Sequence, residues 1–150
     1  MSRSISLASY VKRRNGVPLG AAGSMGNMLR RSLGAPSFAG FWQYWNPVWG
    51  YYLSRYVMRP LSVYLPVWAA TMLTFAISGA LHDLIVALLK WKPIFFITPW
   101  FVIMGAMVVI STKLGVSCKQ YSWLIRALIN VSYITQSLAL VFLIDSFGAD

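Results

Sequence analysis

Two polar side chains stand out in a chain that is otherwise mostly apolar: Asn46, inside FWQYWNPVWG, and His82, near the end of FAISGALHD. His82 is the only histidine, and Asp83 directly after it is the first acidic residue. An imidazole titrates near neutral pH and can take a proton from a hydroxyl, which makes His82 a candidate general base. An ionisable residue within a membrane span costs about 2.5–3.5 kcal/mol on insertion scales, so its presence needs a reason. The competing reading of His82 is a buried imidazole bonded to a neighbouring helix. Ser78 lies four residues earlier, on the same helix face, but nothing marks it as an activated nucleophile. Histidine and aspartate at adjacent positions face different ways and make a poor metal site, so no metal is expected. Cys118 stands alone, which excludes an intramolecular disulfide and a cysteine metal site.

The elements that must position these groups are set by composition. The 150 residues suffice for one domain. They are 58% hydrophobic and only 11% charged, against about 25% charged in soluble domains. That shortfall points to lipid as the main solvent. The formal net charge is +10; in a soluble chain so basic a balance would suggest nucleic acid. The long apolar runs override that reading, and no nucleic-acid partner is expected. Excess Lys and Arg instead mark segments facing the cytoplasm and anionic lipid.

Along the chain, residues 1–37 hold Arg3, Lys12, Arg13, Arg14, Arg30 and Arg31 and no acid, with glycines and prolines throughout. Only Ser24–Leu33 reads as a helix there, with Met25, Met28, Leu29 and Leu33 sharing one side. No apolar run follows the first charges, which argues against a secretory signal; a Ser- and Arg-rich start also resembles an organelle transit peptide. The segment reads as a cytoplasmic arm on anionic headgroups. Residues 38–60 are dense in Trp and Tyr, which favour the membrane–water interface. They read as an interfacial or shallowly re-entrant helix, started near Ser37, divided at Pro47 and stopped by Pro60. Trp42, Trp45 and Trp49 are its expected lipid-facing rings, and Arg55 and Arg59 snorkel to phosphate from the same depth.

Residues 61–150 then read as transmembrane helices. The runs 63–81 and 94–112 each hold 19 uncharged residues, close to the roughly 20 that cross a bilayer. The apolar pattern of the first continues past His82, so spans are expected over about 63–89, 94–112 and 123–145. Ser78, Gly79 and Ala80 form a small-residue patch that lets another helix approach around the histidine. Asn130, Ser132, Thr135, Gln136 and Ser137 make the third span polar, which suits bonds between helices or to a partner better than a transport path. Lys and Arg concentrate before the first span and around 113–126, so the positive-inside rule puts the N-terminus in the cytoplasm. The expected fold class is therefore an all-α membrane protein with a basic N-terminal arm, an interfacial aromatic helix and about three transmembrane helices. A bacterial cytoplasmic membrane fits so compact a chain best.

Two segments together resemble a known family. FWQYWNPVWGYYLSRYVMRPL is similar to the FW…W(N/H) signature and aromatic-basic helix of the membrane-bound O-acyltransferases. Some 36 residues on, FAISGALHD resembles that family's segment bearing a catalytic histidine. The Trp45–Asn46 form is similar to the sterol and diacylglycerol acyltransferase branch. The resemblance implies that His82 activates an acceptor hydroxyl, that Asn46 orients the site, and that acyl-CoA or an acylated carrier is the donor, with no covalently bound cofactor. It covers about a third of the chain. Members of that family are several times longer and enclose an acyl tunnel with many more helices, and position 49 is Trp where that branch often has His. A second reading therefore stands beside the first: a non-catalytic subunit that packs into a larger membrane complex and binds lipid or pigment.

Overall fold

The computed structural model describes residues 5–148 and is helical, with no strand among the described residues. Arg3 of the basic arm and Asp150 lie outside them. The arm forms two helices rather than the one expected. The first, α1 (Leu7–Asn15), is capped by Ser6, whose hydroxyl accepts from the backbone of Ser9, and ends at Gly16 in the left-handed conformation. Its last turn carries Lys12, Arg13 and Arg14, where cations complement the helix dipole. The second, α2 (Ser24–Leu33), matches the sequence reading.

The aromatic segment is divided as Pro47 requires. Ser37 caps α3 (Phe38–Tyr44), and Pro47 opens α4 (Pro47–Leu53) at a position where its missing N–H is no loss. Val11 of α1 is buried, and Tyr10 meets the edge of Tyr51 on α4 at 5.5 Å; this cover explains why so basic a helix is held. The expectation that Pro60 stops the helix is corrected. A π-helical turn, Ser54–Met58, intervenes, and α5 (Arg59–Tyr64) continues through Pro60. The wider turn bonds Arg59 N to the carbonyl of Ser54 and gives the proline ring room.

Three long helices complete the chain: α6 (Val67–Lys90), α7 (Ile97–Lys113) and α8 (Trp123–Gly148). The start of α6 falls at Val67 instead of 63, since Leu65 before Pro66 is extended. Both α6 and α8 are long and apolar enough to cross a membrane, and only 17% and 22% of their most apolar windows are buried. The core helix of a soluble protein would be covered; these face outward with apolar side chains. Of the three expected spans, α7 falls short of that test: its 17 residues cover about 25 Å at 1.5 Å each.

Packing converges on α3. Phe38 and Phe41 are buried with Ala35, Met104 and Val108, and Tyr133 of α8 stacks on Phe38 at 4.7 Å. The tightest helix pair is α6 with α7. A Cβ added to Gly79 would lie 2.7 Å from the backbone of Thr98, and one on Gly105 would lie 2.9 Å from Phe75 Cβ. The small-residue patch beside the histidine thus serves close helix approach, as its composition implies. The polar residues of α8 divide. Buried Asn130 donates to the carbonyls of Leu33 and Ala35 at 2.8 and 3.0 Å, fastening the α2–α3 turn, and buried Ser137 accepts from Trp100 Nε1 at 2.9 Å. Ser132 and Thr135 bond only carbonyls of their own helix, and Thr135 and Gln136 are exposed.

Candidate functional site

A cavity of about 480 Å³ opens between the α3–α4 corner, the π turn and the faces of α6 and α7. Asn46 and His82, 36 positions apart in sequence, both line it. Its remaining wall mixes aromatic and apolar side chains such as Trp42, Phe75 and Val108 with the hydroxyls of Thr71, Thr74 and Ser78.

Asn46 is placed by backbone chemistry. It adopts φ 40°, in the left-handed region that asparagine tolerates better than most residues, and its Oδ1 accepts from Trp49 N at 3.2 Å as the cap of α4. An asparagine does two jobs at this corner, turning the chain ahead of Pro47 and capping α4. The residue is exposed at the cavity mouth.

His82 is half-buried on α6, one turn after Ser78. Its Nδ1 lies 2.6 Å from the Ser78 carbonyl oxygen. A carbonyl can only accept, so Nδ1 carries a proton, and in the neutral ring Nε2 keeps a free lone pair. The ring is held edge-on to Trp49 at 5.5 Å and tilted against Phe101 at 5.2 Å. Trp49 Nε1 in turn donates to Ser78 Oγ at 3.0 Å. Ser78 is thereby a tie between α4 and the histidine, with its hydroxyl and its carbonyl both occupied.

Asp83 does different work from its neighbour. It is buried and accepts four hydrogen bonds at the start of α7: Oδ1 from the backbone of Phe96 and Ile97, Oδ2 from the backbone and hydroxyl of Thr98 at 2.8 and 2.6 Å. A carboxylate at a helix N-terminus satisfies orphan donors and complements the dipole. It fixes the start of α7 at Ile97 and holds the α6–α7 hairpin that backs the cavity. The two adjacent residues face different ways, and no cluster of metal-ligating side chains occurs among the described residues.

The three tryptophans expected at the lipid interface are placed differently from one another. All three line the cavity, but Trp42 packs among Phe38, Phe41, Phe75 and Phe101, Trp49 is tied to Ser78, and Trp45, stacked on Phe41, is the exposed one. Arg55 Nη1 donates to the Tyr51 hydroxyl at 2.6 Å, which favours its charged form, and its guanidinium lies 5.8 Å from the Tyr51 and Tyr56 rings. Arg59 is exposed. Sequence reasoning missed Arg14, which reaches the cavity from α1 and donates to Gln43 Oε1 at 3.0 Å. It also missed the indole nitrogen of Trp42, buried in the cavity wall without a partner among the described residues. No protein-family model, curated protein or solved structure matches the chain.

Proposed function

We propose that the chain is an integral membrane protein similar to the membrane-bound O-acyltransferases, moving an acyl group from a thioester onto a hydroxyl at the bilayer. One observation carries the reading: His82, its Nδ1 proton committed to the Ser78 carbonyl, lines the same cavity as Asn46. Nε2 takes the proton of the acceptor hydroxyl as its oxygen attacks the thioester carbonyl carbon. The carbon–sulfur bond then breaks, and the thiolate leaves with the proton returned by the imidazolium. Asn46 orients the site at the mouth. The apolar wall suits the acyl chain, and Arg14 suits a phosphate of acyl-CoA or of an acylated carrier.

In this reading α6, α7 and α8 all cross the membrane, with the N-terminus on the cytoplasmic side, as in a bacterial inner membrane. Trp45, Arg55 and Arg59 meet the headgroups. The test is purified protein in lipid with labelled acyl-CoA and a panel of alcohols. Labelled ester that requires His82 supports the reading; thioester left intact with every acceptor sinks it.

A second reading rests on a different observation. Thr135 and Gln136 are exposed on an apolar helix whose flanking Val131, Leu140 and Leu143 are also exposed. A polar pair on a lipid-facing surface suits contact with another membrane subunit. Gentle solubilisation then yields a particle well above 16.8 kDa plus detergent, whereas a lone monomer contradicts assembly.

A further inference from the structure

We infer a second binding site, separate from the His82 cavity, that holds the phosphate headgroup of an anionic phospholipid between Arg30 and Arg126. An open groove of about 650 Å³ lies where α2 meets the start of α8, lined by Gly26, Leu29, Arg30, Leu33, Trp123 and Arg126. It shares no residue with the lining of the histidine cavity. Two guanidinium groups, two leucines and an indole are the complement of a charged headgroup on an apolar tail. Gly26 leaves its side of the groove open, with no atom within 4 Å of where a Cβ would stand.

The site is built rather than incidental. Trp123 Nε1 donates to the carbonyl of Arg30 at 2.9 Å, and its ring lies directly on Gly34, where any side chain would collide with it. Asn130, two turns further along α8, holds Leu33 and Ala35. The two arginine-bearing helices are therefore locked together at this end.

Among the described residues the charge finds no carboxylate to answer it. Arg126 Nε is buried with no acceptor among the described residues. Of the acids described, the Asp83 carboxylate is taken by the start of α7. Asp145 stands 19 positions further along α8, about 28 Å away at 1.5 Å per residue. Two arginines lining one site, with no described carboxylate near them, call for an external anion, and arginine forks suit phosphate. The place selects the source: Trp123 opens an apolar helix of membrane-crossing length, where an indole marks the headgroup level. Basic pockets at that level take anionic lipid headgroups.

The test is native mass spectrometry of the full chain in neutral detergent, titrated with phosphatidylglycerol, phosphatidylcholine or inorganic phosphate. Wild type should retain one phosphatidylglycerol in preference to phosphatidylcholine. At about a factor of five for each arginine, R30Q/R126Q should weaken that binding about 25-fold. R30K/R126K should keep part of it. K12Q/R13Q, which removes the same charge from α1, should leave it within about threefold. Equal weakening in R30Q/R126Q and K12Q/R13Q overturns the site, as does equal retention of the two lipids by wild type, a result that needs no variant to fold. Displacement of the lipid by an equal concentration of inorganic phosphate overturns the lipid assignment in favour of a free anion.

Discussion

The indole nitrogen of Trp49 lies 3.0 Å from the hydroxyl of Ser78, and the carbonyl of that same serine holds His82 Nδ1 at 2.6 Å. One residue thus joins the short helix α4 to the imidazole, and it lies next to Gly79, where α6 and α7 touch. The orientation of the histidine depends on two elements meeting, not on α6 alone.

Trp49→Phe removes the hydrogen bond to Ser78 while keeping most of the ring. Loss of one such bond costs about 1 kcal/mol of stability. On the proposed chemistry, looser placement of the imidazole should lower acyl transfer about tenfold, chiefly in kcat. Thermal unfolding and initial rates on the same preparation separate the two effects. A stability loss with unchanged kcat would show that the tie is structural only.

Asp83→Ala strips four donors at the start of α7 of their acceptor, three of them backbone N–H groups. A destabilisation of about 2–4 kcal/mol is expected from the lost charge-assisted cap. Asp83→Asn, which keeps one acceptor oxygen, should lose about half as much. Unfolding in detergent followed by circular dichroism checks the order; equal stability of all three proteins would contradict the capping role.

At Asn130 the ranking of two substitutions is the test. Its amide donates to two backbone carbonyls, so Asn130→Ala leaves both unmet, at about 2–4 kcal/mol. Asn130→Asp does worse, because a carboxylate cannot donate and faces two carbonyl oxygens. Freed from α8, the arm should be cut faster by trypsin at Arg30 and Arg31 in both variants, and fastest in the aspartate. Wild-type cleavage rates in both would remove the arm's anchor from Asn130.

Much of this architecture was legible in the sequence, because it rests on local stereochemistry and composition. Ser37 as a cap, the division at Pro47, the small patch at Gly79 and the apolar runs of α6 and α8 all derive from residue type. The same holds for Asn130 and Ser137, since a buried polar group in an apolar helix must find a partner. The parts that were not legible depend on distant partners. Asp83 caps a helix that begins 14 positions later, so its residue type gave no hint of whether it faced the cavity, the interface or α7. Trp42, Trp45 and Trp49 share one composition signal, and only the packing of α3 against α7 and the bond from Trp49 to Ser78 on α6 turn Trp42 and Trp49 inward and leave Trp45 exposed. Pro60 looked like a stop because the π turn that accommodates it has no sequence rule. The helix α1 depends on packing against distant elements, such as Tyr10 against Tyr51 of α4. The Arg30–Arg126 groove joins residues 96 positions apart, beyond any reading of pattern.

The measurement that bears most directly on the proposed chemistry is acyl transfer by His82→Ala, with and without added imidazole. If His82 is the general base, kcat should fall by about 10²–10⁴, and free imidazole diffusing into the vacated space should restore part of it. The fold should persist, because the imidazole makes one hydrogen bond to the carbonyl of its own helix. Wild-type transfer by a folded His82→Ala protein, indifferent to imidazole, would contradict the role assigned to this histidine.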